Sequence, residues 1–156
     1  MAFAEDLLEQ ANHLAKRERT KPKQASLRRA VSTSYYALFH LLVRDGVSNW
    51  KRSGQRAELA RTFDHGRMRK ASQQVANRKF PDHPPQAVAN LKSVAKAFDE
   101  LQELRHLADY DESEKWTRER ALDAVNLASA AFQAWQAAKA EDIAQDYLLQ
   151  LLIQRR

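Results

Sequence analysis

KQASLRRAVSTSYYALFHLLVR, residues 23–44, decides the fold. Leu27, Val31, Ser34, Tyr35, Leu38, Leu41 and Leu42 recur three or four positions apart and make one stripe of a helix. Arg29, Thr33, Tyr36, His40 and Arg44 recur at the same interval and make a second stripe. The first stripe reads as core. The second mixes charged, hydroxyl and aromatic groups, which suits an interface or a site. Pro22 precedes this helix as a breaker, and Gly46 after Asp45 reads as its C-terminal cap.

The rest of the chain agrees with a helical reading. Its 156 residues include three Gly and four Pro, all between Pro22 and Pro85. Average usage would give about eleven Gly and eight Pro. Ala and Leu number 26 and 18, against 13 for Val, Ile and Thr together. Ala and Leu favour helices, whereas β-branched residues favour strands. A β-sandwich or barrel needs turn residues at short, regular intervals, and these are missing.

Upstream, Phe3, Leu7, Leu8, Ala11, Leu14 and Ala15 predict a helix over about 4–19. Residues 46–85 are the least regular. GVSNWKRSG reads as a loop, with short helices over 55–63 and 68–77 and mobile connections between them. Pro84 or Pro85 suits the first turn of a long helix reaching residue 107 or 108. Leu91, Val94, Phe98 and Leu101 mark its apolar seam, and Arg105 falls in phase with them. A charge at such a position is unusual, because buried charges are paired. Thr117 reads as the N-cap of the last helix, with Glu119 in its first turn and Ala121, Val125, Ala128, Phe132 and Trp135 inward.

No residue forces that helix to end before Arg156, and Ile143, Tyr147, Leu148, Leu151 and Leu152 continue the pattern. Nearly forty helical residues would span about 58 Å, too long for a compact bundle. The tail therefore either folds back or packs on another subunit. The expectation is an all-α, up-and-down four-helix bundle with short extra helices in the middle and a long C-terminal helix. Residues 1–140 would form the bundle and 141–156 a helical extension of the same domain.

Charge divides the chain. The formal net charge is +6. Residues 1–15 carry −3, residues 16–79 carry +13, and residues 80–156 carry −4. A basic middle between acidic flanks fits a phosphate footprint. It equally fits a surface that answers the acidic segments within the fold or across an oligomer. Zero Cys excludes disulfides and thiolate chemistry. No P-loop, GxGxxG, GxSxG, HxxxH or HExxH occurs, so neither a cofactor nor a metal is expected. The acidic N-terminus is unlike a secretory signal, and no run of 18 apolar residues spans a membrane. The expected compartment is the cytoplasm.

Two segments, RRAVSTSYYALFHLL (28–42) and ELRHLADYDES (103–113), resemble the HEPN domain superfamily. They are similar to its small prokaryotic branch with an ADYD-type turn. Asp64-His65-Gly66 resembles the His-Gly that opens the middle segment in that branch. The resemblance covers roughly residues 5–140. It implies a four-helix bundle that dimerises, encoded beside a minimal nucleotidyltransferase as a toxin–antitoxin or nucleotide-binding pair. Many such proteins are metal-independent ribonucleases that use an Arg and a His with four to six residues between them.

Arg105 matches the family arginine, but the residues four to seven beyond it are Asp109, Tyr110, Asp111 and Glu112, with no histidine among them. No His follows His106, so the family's general acid/base is missing there. The candidate catalytic residues are Arg105, to hold phosphate, and Tyr110, to stack on a base or, by analogy with some partners of minimal nucleotidyltransferases, to accept a nucleotidyl group. Tyr36, His40, Arg29, Asp109, Asp111 and His65 are the candidate ligand-binding residues. The structural alternative pairs Arg105 with Asp109 and uses Asp111 to satisfy turn amides. The function expected is RNA or nucleotide binding. The alternatives are a ribonuclease with a non-standard site, or an interaction module working through residues 143–153.

Overall fold

The computed structural model describes residues 2–153. These form seven α-helices and no strand. They are α1 (Phe3–Ala15), α2 (Gln24–Ser48), α3 (Ser53–Ala60), α4 (His65–Asn77), α5 (Pro85–Tyr110), α6 (Arg118–Ala138) and α7 (Asp142–Leu152). α2 is central: it packs on α1, α5 and α6, and also touches α3 and α7. α5 and α6 pack on each other, and α4 lies against α5 and α7.

The core stripe of α2 is buried along its whole length, from Leu27 to Leu42. The seams predicted for α5 and α6 are buried as well. α1 turns its expected stripe inward apart from Phe3: Ala11 and Ala15 are buried, and Leu7, Leu8 and Leu14 pack against the core. Ala4 is buried with them, while Phe3 is half exposed. The small alanine side chains let α1 lie close against α2.

Several helix ends differ from expectation, each for a local reason. α1 stops at Ala15 instead of reaching Arg19. Beyond it Lys21 takes φ 50°, ahead of Pro22. Glu18 turns back there, accepting bonds from the Lys23 amide and the Ser26 hydroxyl, both at 2.9 Å. Its carboxylate thus serves the first turn of α2, where negative charge is favoured. The Arg118 guanidinium donates to the carbonyls of Ala15 (3.3 Å) and Glu18 (2.5 Å) and so ties the end of α1 to α6.

Gly46 is not a cap, because α2 continues to Ser48 and the glycine keeps an ordinary helical φ. What it provides is space: a Cβ there would lie 3.1 Å from Phe63 Cζ. The middle segment is more regular than expected. α3 begins at Ser53, and α4 begins at His65, where the Asp64 carboxylate accepts from the Arg67 amide at 2.8 Å. Pro85 opens α5, and Thr117 caps α6 through the Arg120 amide.

The long last helix is broken. α6 ends at Ala138, and Gln145 donates to the freed Lys139 carbonyl at 2.6 Å. α7 then folds back onto α4, where the buried Tyr147 hydroxyl meets the Ser72 hydroxyl at 2.6 Å. The stripe Ile143, Tyr147, Leu148 and Leu151 is buried within this chain, so it is not free to bind another protein. Residues 154–156 lie outside the described ones. No helix of the described residues is long and apolar enough to cross a membrane.

Candidate functional site

α2, α4 and α5 bring a cationic and aromatic cluster together. Tyr35, Tyr36, Phe39 and His40 come from α2, His65 from the first turn of α4, and Arg105 from α5. The phase that aligned Arg105 with the α5 seam carries it inward, leaving its side chain 12% exposed. Its guanidinium carbon stands 5.1 Å from the Tyr35 ring centre and 5.8 Å from that of Tyr36. Aromatic faces attract a cation, which offsets part of the cost of burial. Among the described residues one ion pair assists, Nη1 to Asp109 Oδ2 at 3.7 Å, beyond hydrogen-bond range. That Asp109 oxygen also accepts from the Ser32 hydroxyl at 3.2 Å. Arg105 Nε is buried without a hydrogen-bond partner.

His65 stacks on Phe39, with ring centres 4.4 Å apart, and its Nδ1 meets the Tyr35 hydroxyl at 2.6 Å. Burial pushes the Tyr35 hydroxyl's pKa well up, so the phenol stays protonated and can donate to His65 or accept from it. Burial, and then the Arg105 charge, holds the His65 imidazole below its usual pKa. Burial lowers His40 in the same way. His40 sits edge-on to Phe3 at 4.9 Å and to Phe39 at 5.2 Å. The cluster therefore holds one fixed positive charge beside two imidazoles that are neutral at pH 7. Such a set can hold an anionic oxygen and exchange a proton with a neighbouring hydroxyl.

The lowered imidazoles make stability depend on pH. Unfolded histidine takes up a proton near pH 6.5, and these two take it up only at lower pH when folded. Their contribution is complete above pH ~6.5 and is lost as pH falls through the folded values. The melting temperature should be flat from neutral pH upward and fall below pH ~6.5, with a shallower fall in His65→Gln. A wild-type melting temperature that stays level down to pH ~5 would contradict this.

The other expected site residues are placed elsewhere. Tyr110 is 67% exposed at the end of α5 and touches the His106 ring at 5.0 Å. It lies five residues beyond Arg105, on another side of the helix. Asp111 accepts from the Ser113 amide (3.0 Å) and hydroxyl (2.5 Å), which makes it a turn residue. Arg29 is exposed on α2 and makes no hydrogen bond or ion pair among the described residues. Arg105, Tyr36, His40, Asp109 and His65 are thus gathered, while Tyr110, Asp111 and Arg29 stand apart from them.

Tyr35 and Phe39 were not among the expected site residues. One signal for Tyr35 was available, since a tyrosine in a core stripe needs a partner for its hydroxyl. Arg28 was also missed. Its guanidinium donates to the carbonyls of Ala108 (2.9 Å), Asp111 (2.9 Å), Glu112 (3.4 Å) and Glu114 (2.5 Å). It thereby fastens the turn after α5 to the start of α2. No group of three or more His, Asp or Glu suited to a metal ion occurs among the described residues. No protein-family model, curated protein or solved structure matches the chain.

Proposed function

We propose that the chain is a HEPN-like four-helix bundle of α1, α2, α5 and α6 that binds RNA or a nucleotide through a phosphate held at Arg105. On this reading it works as a homodimer and as a toxin–antitoxin or nucleotidyltransferase-partner module in the cytoplasm. The observation that carries it is Arg105 itself. The chain keeps a guanidinium largely buried on two tyrosine faces, with a loose ion pair and an unpartnered Nε. A group positioned at that cost and left short of partners is suited to an external anion. Tyr110 belongs to the same proposal as an exposed hydroxyl that a partner enzyme could reach.

The test is RNA binding across a salt series. Affinity should fall steeply with salt, because Lys and Arg displace counterions from phosphate. Arg105→Ala should weaken binding by about 10–100-fold, the worth of one charge-assisted hydrogen bond. Arg105→Lys should recover only part, since an ammonium lacks the planar fork. Binding that ignores both salt and Arg105 would end this reading.

One observation favours a second reading, a ribonuclease with a non-standard site. The histidine missing after Arg105 has a substitute in His65, which is close enough to feel the Arg105 charge. A neutral imidazole could take the 2′-hydroxyl proton as that oxygen attacks phosphorus, Arg105 would stabilise the phosphorane charge, and the 5′-oxygen would leave with the proton returned by the imidazolium, giving a 2′,3′-cyclic phosphate. Cleavage of labelled RNA without metal, abolished in both His65→Gln and Arg105→Ala, would favour it; intact RNA would leave binding alone.

A further inference from the structure

The basic middle of the chain is partly spent on its own structure. Arg69 pairs with Asp99 at 2.7 Å and with Glu103 at 3.0 Å. Arg44 pairs with Glu5 at 2.8 Å. On another face of α4 the cations are not answered in this way. Arg67, Lys70 and Gln74 follow one another at helical spacing on α4 and, with Arg78 just past its end, line a cavity of about 80 Å³ beside Gln150 and Ile153. No carboxylate lines it. Among the described residues neither Lys70 nor Arg78 has a carboxylate partner. The negative end of α7 is close by, but Arg67 covers its Leu152 carbonyl at 3.1 Å.

A second observation concerns a polar residue in the wall of this cavity. Gln150 is 7% exposed, and its Oε1 is buried without a hydrogen-bond partner. A core helix has no use for an amide here, since an apolar side chain of that size would avoid the desolvation cost. The amide nitrogen is not among the enclosed unpartnered atoms, so it is the end of Gln150 able to face the cavity and donate there. An anion oxygen there would accept from the amide nitrogen and meet the surrounding cations. The cavity has room for a tetrahedral anion.

We propose that this pocket binds the phosphate of a phosphate monoester, with Arg67, Lys70 and Arg78 supplying the charge and Gln150 the buried hydrogen bond. The site is separate from Arg105 and does not rest on the function assigned to it. Two sources share this chemistry, free phosphate and the phosphorylated end of an oligonucleotide.

The test is thermal melting of the full chain with inorganic phosphate at constant ionic strength. About 10 mM phosphate should raise the melting temperature by about 3–5 °C, as for a millimolar Kd. Lys70→Gln and Arg78→Gln, which leave the Arg67 cap in place, should each remove most of that rise. Gln150→Leu should melt no lower than the parent without phosphate, yet respond less to it. Arg105→Ala should keep the full response, so failure here is distinct from failure at the other site. A 5′-phosphorylated oligonucleotide that competes for the pocket better than its 5′-hydroxyl twin identifies a polynucleotide end; equal competition identifies free phosphate. A rise matched by chloride alone, or one unchanged in the Lys70 and Arg78 variants, overturns the proposal.

Discussion

Arg28→Ala is expected to destabilise the fold by about 3–4 kcal/mol, because it leaves several carbonyls at the end of α5 without a charged donor. For a domain of this size that is a drop of about 10 °C in melting temperature. Part of the loss is softened because Glu112 lies near solvent, where water can replace the guanidinium. The Ala108 carbonyl belongs to the last turn of α5, where a cation is also favoured by the helix dipole. Arg28→Lys should recover less than half, since one ammonium cannot fan out to four acceptors. Thermal melting of both variants settles the matter. An Arg28→Ala protein that melts within about 2 °C of the parent would show that water serves these carbonyls equally well. The variant should also loosen Asp109, which lies within the segment Arg28 fastens, and so weaken the setting of Arg105.

Trp135→Ala should cost about 4 kcal/mol, chiefly through the cavity left in a fully buried site. A second part of the cost is polar. The indole donates to Asp45 Oδ2 at 2.7 Å, and the Asp45 side chain is only 16% exposed. Arg44 remains as its other partner at 3.3 Å. Trp135→Phe keeps most of the volume and removes the donor, so it should cost about 2 kcal/mol. Denaturant unfolding of the pair separates the two parts. If Phe proves as damaging as Ala, the hydrogen bond outweighs the volume, contrary to this account. Trp135 also meets Tyr147 edge-on at 6.3 Å, so its loss should free α7 before the rest unfolds.

Periodicity made the core legible. In α2 the stripe from Leu27 to Leu42 is buried, while Tyr36, His40 and Arg44 on the second stripe are half-buried. The same spacing led to Arg105, whose phase with Phe98 forced the question of what a charge was doing there. What spacing could not give were contacts between distant segments. His65 reaches Tyr35 across 30 positions, and Arg28 reaches the end of α5 across 80. Gly46 misled for a related reason. A glycine after Asp45 suits a cap, but its actual task is to admit Phe63, which no local pattern reveals. Fold-back was one of the two outcomes the length of the last helix allowed, but its place after Ala138 was hidden, because it depends on α4 and α2 being present to receive α7. Tyr110 and Asp111 lay in the most suggestive motif of the chain, yet one faces solvent and the other closes a turn.

The two bonds from Arg118 to the end of α1 link residues 103 and 100 positions apart, and Gln24 is joined to the Trp116 backbone across 92. A ribosome adds about 5–20 residues per second, so these partners emerge at least about five seconds after the groups they serve. Through that interval the face of α2 that receives α5 and α6 stays uncovered, while α1 and α2 can already pack on each other. A chaperone that shields nascent helices has its opportunity then, and a translational pause between α2 and α6 would lengthen the exposure.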